Sequence, residues 1–152
     1  MHPIIIRNVS VHDKELHSLI SQLDEELLQR YPTETIYRVD FTDPKVSSMV
    51  FAVAFDQELP VGCGGIRRLE DGDVELKRFF VIPSHRRMGV AEGMLKHLED
   101  EARQWECPLI KLETGAQQPD AIAFYSKHGF RAVERFGEYS EDENSLCYAK
   151  PL

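Results

Sequence analysis

Apolar positions cluster first at Ile4, Ile5 and Ile6, and the run Pro3 to Val9 reads as a strand. The spacing then changes. Leu16, Leu19, Ile20, Leu23 and Leu27 recur at helical intervals, which predicts an amphipathic helix over about residues 11–30. Ser10 is expected to cap it, with Asp13 reaching back. Tyr31-Pro32 ends it, because a residue before proline resists helical geometry. The polar stretch 33–48, which contains Asp43-Pro44, is a long connection with room for a short helix, and connections of that length often line binding sites. Met49 to Phe55 and Val61 to Leu69 flank a polar turn and read as antiparallel strands. Glu70-Asp71-Gly72 turns the chain again into a strand from Val74 to Ile82.

Pro83 halts that strand before a basic turn, Arg86-Arg87. Val90, Ala91, Met94, Leu95, Leu98 and Ala102 then mark one face of a helix reaching about Gln104. Leu109 to Glu113 is a strand, so strand, helix and strand form a βαβ unit whose two strands should be parallel. Asp120 to His128 reads as a short helix stopped by Gly129, and Phe130 to Val133 and Leu146 to Ala149 as the last strands. The order β-α-β-β-β-α-β-α-β-β predicts an α/β protein of the α+β kind, with helices on the faces of a mixed sheet. One domain over residues 1–152 is expected, with neither internal repeat nor low-complexity tract.

Composition narrows the partners. A net charge of −8 gives no support for nucleic-acid or anionic-membrane binding and mildly favours cationic partners, amines included. No apolar run approaches the roughly 18 residues of a membrane span, and there is no evident signal peptide. Cys63, Cys107 and Cys147 are odd in number and far apart, which suggests reduced thiols in a cytoplasmic protein. No HExxH and no Cys/His pair at zinc spacing occurs, so no metal is expected. Gly62-Cys63-Gly64-Gly65 is not a dinucleotide fingerprint, since strand follows it; those glycines suit close backbone approach or a bulge.

The chemistry gathers in Asp73 to Ala91. A strand that leads through a turn into a helix N-terminus points unpaired N–H groups at one spot, which suits a phosphate. Arg86, Gly89 and Ala91 put a cation, a glycine and a small residue where backbone can close on a pyrophosphate.

Arg86-x-x-Gly89-x-Ala91 after LKRFFVIP, together with Gln118-Pro-Asp-Ala121-x-x-x-Tyr125-x-x-x-Gly129-Phe130, resembles the GNAT superfamily of acyl-CoA-dependent N-acetyltransferases. Gln118 stands where the family usually has Asn. The resemblance spans nearly the whole chain and implies the GNAT fold, with a central parallel strand pair that splays beside a bulge. It also implies acetyl-CoA as donor. Arg86 would belong to the coenzyme site, the backbone amides of Arg87, Met88, Gly89, Val90 and Ala91 would hold the pyrophosphate, and the backbone around Phe80, Val81 and Ile82 the pantetheine. Gln118 would lie at the coenzyme site, and an N–H near Phe80 or Val81 would polarise the acetyl carbonyl. Tyr125 would protonate the departing thiolate. The attacking amine needs a base, for which Glu75 ranks first and Glu113 second.

PVGCGGIRRL, ELKRFFV and FGEYSEDENS further resemble a bacterial subgroup of small acetyltransferases, which places Tyr31, Phe136 and Tyr139 at the border of the acceptor pocket. The function these readings imply is N-acetylation of a small-molecule primary amine. A protein lysine or N-terminus as acceptor, and a non-catalytic acyl-CoA-binding module, are the alternatives. Homodimer formation is left open.

Overall fold

The computed structural model describes residues 2–32 and 36–152. Among them one sheet holds β1 (Ile4–Val9), β2 (Val50–Asp56), β3 (Leu59–Arg68), β4 (Val74–Val81), β5 (Leu109–Gly115), β6 (Arg131–Val133) and β7 (Ser145–Pro151). Their spatial order is β1-β2-β3-β4-β5-β7-β6. Every neighbouring pair is antiparallel except β4 and β5, which are parallel. Three helices complete the fold: α1 (Lys14–Leu28), α2 (Val90–Gln104) and α3 (Pro119–Lys127). The architecture is the mixed α/β one that the hydrophobic pattern predicts.

The helices divide between the two faces. α1 buries Leu16, Leu19, Ile20 and Leu23 against Phe51, Val53, Phe55, Cys63 and Phe80 of the sheet. Each such side chain contributes roughly 1.5–3 kcal/mol relative to exposure. α2 buries Val90, Met94, Leu95, Leu98 and Ala102 on the opposite face, where Ala121, Phe124 and Tyr125 of α3 join them. The start of α1 differs from expectation. Asp13, not Ser10, caps the helix by accepting from the Leu16 N–H at 2.9 Å, while Ser10 Oγ accepts from His12 N–H in the preceding turn. A carboxylate three residues before an open amide is itself a good cap, so the helix starts three residues later than the periodicity suggested.

The centre of the sheet is irregular. β4 and β5 are in register only at Val74↔Ile110 and Glu75↔Lys111. Beyond that point β4 is bulged against β3: Cys63 faces Phe80 and Gly65 faces Lys77, so Arg78 and Phe79 together oppose Gly64. Arg78 takes the extra position with φ +54°, a left-handed conformation that costs an L residue about 1–2 kcal/mol. Gly64 explains where the bulge can form. A Cβ there would stand 3.0 Å from the Phe79 ring and 2.9 Å from Leu98. Gly65 is needed for a different contact, since its Cβ would lie 2.5 Å from the ring of buried Phe51. Gly65→Ala is therefore expected to destabilise the fold by about 1–3 kcal/mol through overpacking. Urea unfolding would show it as a lower midpoint at unchanged slope, and an unchanged midpoint would mean that Phe51 yields freely.

Candidate active site

The parting of β4 from β5 opens a cleft through the sheet. Its edges are Glu75 to Phe79 on one strand and Leu112 to Gly115 on the other. Gln118, Ala121 and Tyr125 of α3 reach it from the α2 face. On the α1 face it is walled by Leu23, Leu27, Tyr31, Ile36 and Tyr37, and opposite them by Tyr139, Asp142, Asn144 and Ser145. The Tyr37 hydroxyl donates to Asp142 Oδ2 at 2.7 Å and joins the two walls. Of the 31–48 connection, residues 33–35 lie outside the described set.

Backbone direction follows from one bond. Ile82 N–H donates to the Val61 carbonyl at 2.9 Å, so it faces β3. Successive N–H groups alternate along a strand, so Phe80 also faces β3, while Phe79 and Val81 direct theirs to the opening. Of the three residues expected to bind pantetheine, Val81 thus has its N–H toward the opening, as does Phe79, while Phe80 and Ile82 direct theirs to β3. The Val81 carbonyl already accepts from Arg86 Nε at 2.8 Å.

Below the strand, Pro83–His85 makes a single 3-10 turn, and the chain then enters α2 through Arg87 (φ +63°) and Gly89 (φ +85°). Gly89 is the N-cap and supplies no side-chain acceptor, which leaves the first amides of α2 open. Arg87, Met88 and Gly89 are exposed, and the backbone beside Gly89 faces open space. Arg86 is exposed but tethered. Its guanidinium lies between the Val81 carbonyl and Glu26 Oε1 of α1, 2.8 Å from each. His85 pairs with Asp56 Oδ2 at 2.9 Å.

The two carboxylate candidates differ sharply. Glu75 is 1% exposed and both its oxygens are engaged. Oε1 accepts from Arg67 Nε at 2.9 Å and lies 2.8 Å from Nη2, and Oε2 accepts from the Tyr139 hydroxyl at 2.5 Å. Lys77 Nζ donates to the same hydroxyl at 2.8 Å. Burial pulls the Lys77 ammonium down from the usual lysine range, against the attraction of Glu75. Glu113 sits across the cleft with one hydrogen bond, from Ser145 Oγ at 2.8 Å. Burial raises its pKa above the ordinary glutamate range. Both Glu75 oxygens are thus engaged by side chains, whereas Glu113 has a single side-chain hydrogen bond.

Tyr125 is buried in an aromatic cluster with Phe79, Phe124 and Phe130, at ring-centroid distances of 6.2, 5.6 and 5.5 Å. Burial pushes its hydroxyl pKa up, so it is protonated and able to donate at neutral pH.

The family model for the acetyltransferase (GNAT) family matches residues 14–130. An IAA acetyltransferase of Azospirillum brasilense is 38% identical over 135 residues, covering 88% of each chain. The chain belongs to the GNAT family. A Klebsiella pneumoniae structure assigned to the acyl-CoA N-acyltransferases is 30% identical, covers 98% of this chain and 97% of its own, and superposes with a TM-score of 0.82. The PaiA N-acetyltransferase of Thermoplasma acidophilum, solved in complex with coenzyme A, shares the fold with a TM-score of 0.76 at 19% identity and 99% coverage of both chains.

Within this GNAT fold the three acceptor-border residues separate. Tyr31 lines the cleft, and its hydroxyl accepts from Gln117 N–H at 3.0 Å; a Cβ on Gly115 would collide with it. Tyr139 is the shared partner of Lys77 and Glu75. Phe136 stands behind Tyr139, edge-on at 5.2 Å, and does not line the cleft. Lys77, Arg78, Tyr37 and Asp142 line it without having been singled out in the sequence. One signal was there to find: the hairpin centred on residues 70–72 sets Arg67 opposite Glu75, an opposite-charge cross-strand pair. Tyr139→Phe would take one hydrogen bond from each of two buried charges and should cost about 1–3 kcal/mol or more of stability. Equilibrium unfolding checks this, and a loss below about 0.5 kcal/mol would mean that the hydroxyl is not shared as described.

Proposed function

We propose that this chain transfers the acetyl group of acetyl-CoA directly to the primary amine of a small molecule. The observation that carries this reading is the opening between β4 and β5. It brings unused backbone donors, a protonated tyrosine and a desolvated carboxylate to one passage through the sheet. The residues fit the donor. The open amides of Gly89, Val90 and Ala91, with Arg87 in a left-handed conformation, form an anion-binding concavity for a pyrophosphate. The Thermoplasma protein, which carries coenzyme A on the same fold, supports the assignment.

Acetyl-CoA supplies an activated thioester carbon and a thiolate leaving group. The Phe79 or the Val81 amide donates to the carbonyl oxygen as it gains negative charge, and a preorganised donor of that kind contributes about 2.7–4 kcal/mol. Glu113 takes the proton that the amine must lose, directly or through water. Tyr125 delivers a proton to the departing sulfur. Gln118 lies at the start of α3 and lines the passage.

A thiol-release assay over small amines, peptides and proteins tests the reading, and small amines should accelerate release. Release only with peptides or proteins would move the acceptor to a macromolecule, and coenzyme binding without release would make the protein an acyl-CoA-binding module. Tyr125→Phe should lower kcat by about 10²–10⁴-fold while coenzyme A still raises Tm; an unchanged kcat would remove Tyr125 from the acid role. Glu113 must be ionised to act, and burial raises its pKa. Activity should therefore fall as pH drops through a value above the ordinary glutamate pKa of about 4.3. Glu113→Gln should abolish that acid limb and lower kcat, and an intact limb in the variant would assign the base elsewhere.

A further inference from the structure

The bulge in β4 has a second effect. Side chains of successive strand residues normally point to opposite faces. The left-handed Arg78 breaks the alternation, so Lys77 and Arg78 both lie on the acceptor side of the cleft. Lys77 bonds Tyr139, Arg78 bonds the Tyr37 carbonyl, and the rings of Tyr37 and Tyr139 meet edge-on at 4.7 Å. Two adjacent cations are thus buried at one site, their side chains 5% and 4% exposed.

Neither is fully partnered. Arg78 Nη2 is held by Asp24 of α1, and Nη1 reaches the Tyr37 carbonyl at 3.5 Å, at the limit of a hydrogen bond. Its Nε is the one buried side-chain nitrogen or oxygen among the described residues with no hydrogen-bond partner. Lys77 Nζ has one hydrogen bond, to Tyr139, and its nearest carboxylate oxygen, on Glu75, is 3.8 Å away. That carboxylate is already occupied by Arg67. A buried guanidinium N–H without an acceptor carries a desolvation cost that an anionic ligand would remove. Guanidinium beside ammonium suits a planar carboxylate in particular.

We propose that the acceptor is an amino acid, whose carboxylate is bound by Arg78 and Lys77 while its amine faces Glu113. This rests on the amine-acetylating function above and specifies its substrate class. The cleft then matches a zwitterion: cations on β4 meet the carboxylate and an anion on β5 meets the ammonium. Leu23, Leu27 and Ile36 form an apolar wall for the side chain.

Matched pairs that differ only in the anion test the proposal: leucine against leucinamide, and phenylalanine against phenylalaninamide. The amide's amine is the less basic, so at neutral pH intrinsic reactivity favours the amide. A preference for the acid must therefore come from the protein. Wild type should show kcat/KM at least tenfold higher for the acid, chiefly through KM. Arg78→Gln and Lys77→Met should each lower the acid-to-amide ratio by tenfold or more. Stabilisation by coenzyme A reports whether each variant is folded, and Lys77→Met serves alone if Arg78→Gln does not fold. Amides acetylated as well as acids by wild type, or a ratio unchanged in the folded variants, would overturn the carboxylate site and leave amine acetylation standing. Coenzyme A binding with no thiol release for any amine would overturn both.

Discussion

The site depends on the short parallel ladder between β4 and β5. Two residue pairs join the strands, and beyond Glu75 and Lys111 they part. A sheet that opens at its centre leaves backbone donors without strand partners, and such groups are costly unless something else satisfies them. The bulge at Arg78 accompanies the opening, held by the salt bridge to Asp24 of α1. The helix on one face thus fixes the conformation of the strand whose amides face the other strand across the gap.

Charge is arranged around the same opening. Buried Glu75, Tyr139 and Lys77 form a continuous network with half-buried Arg67, and Glu138 extends it to the surface through Arg67 at 2.9 Å. Breaking one member of such a network exposes the others to an uncompensated desolvation cost, typically about 3–5 kcal/mol. The network engages both oxygens of Glu75 and leaves Glu113 with a single side-chain hydrogen bond, from Ser145. Position in the network, not position in the sequence, separates the two.

Most of the architecture was legible in the sequence because its signals are local. The change from period two to period 3.6, the prolines before turns and the stop at Gly129 all act within a few residues. The paired motifs around Arg86–Ala91 and Gln118–Phe130 identified the family. Arg78 was not legible. Arginine has no preference for the left-handed region, and the bulge exists because Gly64 on the neighbouring strand leaves room for Phe79. Which β4 amides face the gap was not legible for the same reason, since an extra residue in the strand decides it. Glu75 and Glu113 looked alike as strand carboxylates until the hairpin register set Arg67 against the first.

A crystal structure with acetyl-CoA bound tests the central claim most directly. The account predicts the thioester carbonyl oxygen between β4 and β5, within hydrogen-bonding distance of the Phe79 or Val81 amide, with the sulfur near the Tyr125 hydroxyl. An acetyl group outside that opening, or β4 and β5 zipped together in the complex, would contradict it.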